Sequence, residues 1–298
     1  IAALAMVGTL PGRTHGLGLI TEPLITDLHV SRVDYASINF WATLIGALFC
    51  LPCGRLTDRY GSRLVQTGVV LALGVSVMAM SQSTSVWWLA STITLTRGFG
   101  QSALSVVSLA LVGKRFKHNL NMAMAVFSLL VGIGFIAAFP SVGQAVLTAG
   151  WRAAWLCTGI TLVTVLAPLS WFLIRGERAH QTSGAALDSS SGAPGDIPFR
   201  DALRTPAFWI FALASSLFGL VYSGIALFNQ SILEQRGFDA SVYHNVLIVS
   251  TMLGLAANFG AGWLASHRRI QLLTALGMAL LAASVARLLF VRALAQVM

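Results

Sequence analysis

Apolar positions along this chain come in long unbroken runs rather than in the alternating or half-polar patterns of a soluble domain. Nine such runs stand out, at residues 1–24, 35–53, 64–80, 86–112, 120–148, 153–174, 207–233, 246–265 and 270–290. Each is close to the ~20 residues that an α-helix needs to cross a bilayer. Backbone groups in hydrocarbon must be satisfied within the segment, so helices are expected, and the runs are too long and too continuous for barrel strands. The expected fold class is an all-α polytopic membrane protein with about nine transmembrane helices.

Charge tests that reading. One set of alternate connections carries Arg55, Arg59, Arg63, Lys114, Arg115, Lys117, Arg175, Arg178, Arg200, Arg204, Arg268 and Arg269, twelve basic residues. The other set carries Arg32, Arg152, Arg236 and Arg292, four. The positive-inside rule places the first set in the cytoplasm, and an error of one helix would scramble the asymmetry. The plasma membrane is the expected location. The net charge of +9 is thereby accounted for by topology, and no nucleic-acid partner is implied.

Composition agrees: of 298 residues 56% are hydrophobic and only 10% charged, with mean hydropathy +0.78, against about a quarter charged in soluble domains. Cys50, Cys53 and Cys157 fall inside apolar runs. Cys50 and Cys53 lack the further ligands a zinc site needs, and neither metal nor cofactor is expected. The first run has no basic leader region and begins at Ile1, so the chain reads as clipped at its start, and the end at Met298 reads the same way.

The one long polar stretch, 175–205, contains Ser183-Gly184-Ala185-Ala186-Leu187-Asp188-Ser189-Ser190-Ser191-Gly192, the composition of a flexible linker. It follows six predicted spans on the basic side. The expected organisation is therefore a six-helix bundle at 1–174, a cytoplasmic linker at 175–205 and a partial second bundle at 206–298. A degenerate repeat agrees with it: Gly54-Arg55-Leu56-Thr57-Asp58-Arg59-Tyr60-Gly61-Ser62-Arg63 after the second span, and Gly262-Trp263-Leu264-Ala265-Ser266-His267-Arg268-Arg269 after the eighth.

The pattern Gly54-x-Leu56-x-Asp58-Arg59-x-Gly61-x-Arg63 between spans two and three resembles the signature loop of the major facilitator superfamily. Arg97-Gly98-Phe99-Gly100-Gln101 is similar to the family's fourth-helix arginine motif with shifted Gly and Gln. Phe139-Pro140-Ser141-Val142-Gly143 only loosely resembles the motif of the antiporter branches. Arg204-Thr205-Pro206-Ala207-Phe208-Trp209 resembles the monocarboxylate and oxalate/formate branch. The resemblance implies a six-plus-six helix bundle, of which this chain looks like helices one to nine. It also implies that Gly54, Asp58, Arg59, Gly61 and Arg63 latch the two halves in one state of the cycle. Read without the family, Asp58 among three arginines in a glycine-containing turn offers a local ion-pair cluster, or simply a solvated basic loop.

Polar residues inside apolar runs are the candidate substrate site, because charge in hydrocarbon is costly and functional by default. Arg97, Gln101, Ser105 and Ser108 share one stripe of the fourth span, serving a substrate or coupling role or a structural pair with a neighbouring helix. Arg13 and His15 follow Pro11-Gly12 in the first span, where helical hydrogen bonding is interrupted. Arg13 reads as substrate-facing or as a structural arginine near the interface. His15 reads as a proton carrier or, more commonly, as a buried neutral imidazole. Ser215, Gly219, Tyr222, Ala226 and Asn229 form a narrow polar face on the seventh span, with Gln230 beside it. Stripes at Asn39, Thr43, Gly46 and Cys50 and at Gly254, Asn258 and Gly262 are explained equally well by helix packing.

The in-span charges are Arg13, Arg97 and Arg287, with Glu22 the sole acid in a span. Unpaired arginines offer a bidentate fork to an anion. The expectation is a monomeric secondary or facilitative transporter of a small solute, an organic or inorganic anion such as a monocarboxylate, working by alternating access. His15 and Glu22 are the candidates if H+ is the coupling ion. A neutral solute on the same fold, a membrane enzyme or a sensor are the competing readings. The enzyme is disfavoured by the lack of paired carboxylates or a nucleophile group near either membrane face.

Overall fold

A computed structural model of the chain describes residues 1–116, 120–174, 204–235, 237–238, 240–267 and 270–288. The linker and the basic residues Lys117, Arg175, Arg178, Arg200, Arg236, Arg268, Arg269 and Arg292 fall outside them. So do the side chains of Gln230, Asn258 and Arg287 and any detail at Gly262.

The described residues are 92% helical, with no strands. The helices in chain order are α1 (Ala2–Gly8), α2 (Thr14–Gly18), α3 (Thr21–Asp27), α4 (Arg32–Ala47), α5 (Leu51–Ser81), α6 (Val86–Thr96), α7 (Ser105–Arg115), α8 (Leu120–Thr161), α9 (Ala167–Leu173), α10 (Pro206–Gln235), α11 (Ala240–His267) and α12 (Ile270–Leu288). Short connecting turns of helix at Leu10–Gly12 and Leu48–Cys50, and π-helical turns at Arg97–Leu104 and Leu162–Leu166, lie between them.

Four helices among the described residues are long and apolar enough to cross a membrane: Arg32–Ser81, Val86–Arg115, Met122–Leu173 and Phe208–Asn229. This differs from the nine runs of the sequence, for physical reasons. The first run is broken because Pro11 lacks a backbone donor and Arg13 is extended (φ −86°, ψ 151°), leaving pieces too short to count as a span. Four other runs are merged in two pairs. Arg32–Ser81 holds 50 residues, which as straight helix would rise about 75 Å against a hydrocarbon core of ~30 Å. It is broken at Gly61 (φ 81°, ψ 153°), and α8 is broken in the same way at Gly150 (φ 84°, ψ 161°). That corner of backbone space is essentially restricted to glycine.

Side-chain contacts show how the first six segments alternate. At one end Asp27, the last residue of α3, accepts hydrogen bonds from Trp151 Nε1 (3.1 Å) and Arg152 Nε (2.9 Å), and Arg152 Nη1 reaches the Ser81 carbonyl at 2.9 Å. At the other end Lys114 pairs with Asp58 at 2.6 Å, and Arg63 stacks on the Trp171 ring at 4.0 Å. Odd-numbered connections thus meet at one pole and even-numbered ones at the other. Helix starts are capped as their sequences suggest: Ser31 Oγ accepts from the Asp34 amide (3.1 Å), and Ser85 Oγ accepts from the Trp88 amide (3.3 Å).

The core of the first half gathers Leu17, Ile20, Leu24, Tyr35, Leu73, Met80, Leu89, Ile93 and Trp155. Leu51, Val75, Trp87, Val165 and Phe172 are instead more than half exposed, an apolar exterior that suits lipid and not water. Several hydroxyls of the spans are satisfied locally: Thr96, Thr158 and Thr164 each donate to the carbonyl four residues earlier, whereas Ser108 and Ser170 have no hydrogen-bond partner among the described residues.

Candidate functional site

The π-helical turn Arg97–Leu104 places Arg97 in the centre of the first half, where it is 3% exposed. Such insertions re-aim side chains. The backbones crowd here: a Cβ on Gly12 would run into the Thr96 carbonyl oxygen, and one on Gly46 would lie 3.0 Å from the Gly98 nitrogen. The guanidinium is thereby held between three segments. Its Nε and Nη2 donate to Asn39 Oδ1 at 3.2 and 2.8 Å, and Nη1 donates to Gln101 Oε1 at 2.9 Å and to Thr14 Oγ1 at 3.4 Å. Asn39 is itself fixed by donating to the Tyr35 carbonyl at 2.9 Å. All the acceptors are neutral, and Gln101 is used as a ligand of Arg97. Arg97 thus makes side-chain contacts with two neighbouring segments, through Asn39 and Thr14.

Arg13 is different. The extended backbone at the break after Pro11 turns its side chain toward α7 and α8. Nε donates to Thr9 Oγ1 at 2.6 Å, Nη2 contacts Met6 Sδ at 2.8 Å and Ser105 Oγ at 3.5 Å, and the guanidinium carbon sits 5.3 Å from the Phe135 ring centroid. No acidic side chain pairs with it among the described residues. Two positions on, His15 Nε2 meets Tyr222 Oη of α10 at 2.7 Å. His15 Nδ1 is buried with no hydrogen-bond partner among the described residues.

Rings surround this pair. His15 packs edge-on to Phe139 (6.1 Å) and to Tyr222 (5.2 Å), Phe135 stacks on Phe139 at 5.3 Å and 18°, and Phe218 stacks on Tyr222 at 5.7 Å and 11°. Tyr222 is 47% exposed, so the cluster opens on one side. Asn229 lies half-buried farther along the same helix. The structure thus brings Arg13, His15 and Tyr222 together across the seam between the first half and α10, and it gathers Arg97 and Gln101 into a separate buried network.

In the signature loop, Gly61 makes the positive-φ break. Arg59 lies over the Tyr60 ring at 5.4 Å, Arg63 over Trp171, and a Cβ on Gly54 would meet nothing. Asp58 pairs with Lys114 at the end of α7 and not with a loop arginine. Of the two readings left open for the loop, an internal ion-pair cluster or a solvated basic loop, neither describes Asp58, whose bridge runs to the end of α7.

The profile of the Major Facilitator Superfamily matches residues 3–297. The chain belongs to the major facilitator superfamily. It is accordingly an integral membrane protein. A gentisate transporter of Corynebacterium glutamicum is 25% identical over 255 residues, covering 82% of this chain and 55% of that protein. The fold is similar to the crystal structure of a bacterial homolog to the human lysosomal transporter Spinster, solved in an inward-facing and unoccupied conformation. That likeness has a TM-score of 0.63 and 16% identity, covering 91% of this chain and 62% of that one. The chain therefore spans about half the length of the curated relative it matches.

Against this family background, several residues that shape the site carried no signal in the sequence. Phe135 and Phe139 are apolar residues in an apolar run, and their i, i+4 spacing is that of any helix face. Thr9 and Met6 lie in a run that reads as ordinary helix. Asn39 and Thr14 were visible as polar residues, but their convergence on Arg97 depends on how three helices cross.

Proposed function

We propose that this protein is a transporter that moves a small organic carboxylate by alternating access, with Arg13 as the anion-binding group and the aromatic cluster as the seat for the remainder of the solute. The observation that carries this reading is a half-buried guanidinium with only neutral partners, set beside the Phe135 ring. An unpaired cation in an apolar setting gains most from an anion that offers two oxygens, and a ring lined by Phe139, Tyr222 and Phe218 favours a planar, aromatic body through offset and edge contacts. The curated relative carries gentisate, an aromatic carboxylate, which supports the same class.

His15 and Tyr222 form the contact that ties the site to the second half of the chain. In this reading the halves move about that seam, Arg97 with Gln101 holds the first half rigid beneath the site, and the Asp58–Lys114 bridge belongs to the cytoplasmic latch. The test is a thermal-shift panel on the full-length protein in detergent. Benzoate-type acids, aliphatic monocarboxylates, sugars and amines are added separately, because specific ligands raise apparent stability. Aromatic acids should stabilise the protein and Arg13→Gln should abolish the shift. Stabilisation by sugars or amines alone, insensitive to Arg13→Gln, would overturn the assignment.

A further inference from the structure

Beyond Tyr222, on the side away from the basic loops, the first half and α10 are in closer contact than at the site itself. Gly18 of α2 faces the backbone of α10 directly. A Cβ there would lie 2.8 Å from the Ala226 carbonyl oxygen and 2.6 Å from Tyr243 Oη, inside any tolerated separation, so the two helices approach to the limit that only a missing side chain permits. Around this point Leu10, Leu19, Leu233, Val246 and Leu247 are buried against one another with Phe135 and Phe139, a dry apolar plug.

Above the plug sits Glu22, the one acidic residue of the apolar runs in the sequence, 14% exposed at its side chain. Arg32, from the same half, holds it with Nη2 at 2.9 Å and Nε at 3.4 Å. The Ser231 hydroxyl, from α10, donates to Glu22 Oε1, the oxygen that Arg32 Nε also reaches. The two partners differ in kind. Arg32 moves with Glu22 and neutralises it whatever the second half does, whereas Ser231 reaches across the seam. Opening the seam therefore strands no buried charge and exchanges one charge-assisted hydrogen bond and a small apolar plug for water, which suits a contact that must break on every cycle.

We infer that Gly18, Glu22 and Ser231 form an outer latch that closes the pathway on the side opposite the signature loop, with Gly18 setting the closing distance and Arg32 positioning the carboxylate. The inference rests on the alternating-access reading above, but its test needs no substrate. In the full-length protein in right-side-out vesicles, Cys50, Cys53 and Cys157 are replaced by Ser, and Leu19→Cys reports on the plug through a membrane-impermeant thiol reagent added outside.

Ser231→Ala should raise the labelling rate about tenfold, the scale of one lost hydrogen bond to a charged group, and Ser231→Thr should restore slow labelling. Gly18→Ala, by wedging the seam, should raise labelling at least as far. Raised labelling supports the latch whether or not a carboxylate is carried. Labelling unchanged in both Ser231→Ala and Gly18→Ala overturns it, even where carboxylate transport is intact.

Discussion

Replacing Asn39 by Leu isolates the one interaction that decides how Arg97 is used. The two side chains share a branched outline and the same number of heavy atoms, so the change leaves no cavity, and both Asn39 and Arg97 are almost fully buried. What is lost is Oδ1, the acceptor of two guanidinium N–H groups at 2.8 and 3.2 Å, with the Nδ2 donation to the Tyr35 carbonyl. Gln101 and Thr14 continue to serve only Nη1. Losing the neutral acceptor of a buried charged group costs about 1.5–3 kcal/mol. For a chain of this size each kcal/mol lowers the melting temperature by about 2 °C, so a fall of roughly 3–6 °C is expected. Tryptophan fluorescence of the full-length protein in detergent measures it.

The double variant provides the control. Arg97→Met in the Asn39→Leu background removes the stranded charge and should recover stability relative to Asn39→Leu alone, giving a coupling energy of about 2 kcal/mol. A shift below about 1 °C for Asn39→Leu, or effects of the two substitutions that simply add, would refute the argument. The guanidinium would then be available to a solute, and Arg97 would return to the substrate site.

Arg13→Gln is expected to raise KM for the transported carboxylate at least about tenfold, the cost of one charge-assisted contact, with melting temperature nearly unchanged; uptake into proteoliposomes checks it. Tyr222→Phe keeps the ring and loses the bond to His15, so transport should slow by roughly three- to tenfold, the scale of a neutral hydrogen bond, with the aromatic preference retained. Asp58→Asn breaks the bridge to Lys114 and should impair turnover more than binding, seen as slowed uptake with an unaltered ligand-induced thermal shift; intact turnover would remove the latch role. Gly61→Ala forces a side chain into φ 81°, ψ 153° and should cost about 1–3 kcal/mol, measured as lowered thermal stability.

The Asn39–Arg97 pair illustrates where sequence reading stops. Helix as the secondary structure, membrane residence and the break after Pro11 were legible, because each follows from local rules: the length of an apolar run and the missing donor of proline. Gly61 was legible as a residue with conformational freedom, and the structure shows it occupying backbone space that other residues avoid. The polar positions Arg13, His15, Arg97, Gln101 and Tyr222 were also legible, since charge and hydrogen-bonding groups in hydrocarbon are too costly to be incidental.

What each polar group touches was decided only by tertiary structure. Arg13 and Arg97 look alike in sequence, one intramembrane arginine each, yet one is held by Asn39, Thr14 and Gln101 while the other reaches Thr9, Met6 and Ser105 beside the Phe135 ring. The difference arises from the close crossing of backbones at Gly12, Gly46 and Gly98 and from the π-helical turn that rotates Arg97 inward. Lys114, not a loop arginine, pairs with Asp58, because alternate helix ends meet at one pole. Helix periodicity specifies a face. Which other helix lies against that face is a property of packing, and it is packing that gives the two arginines different partners.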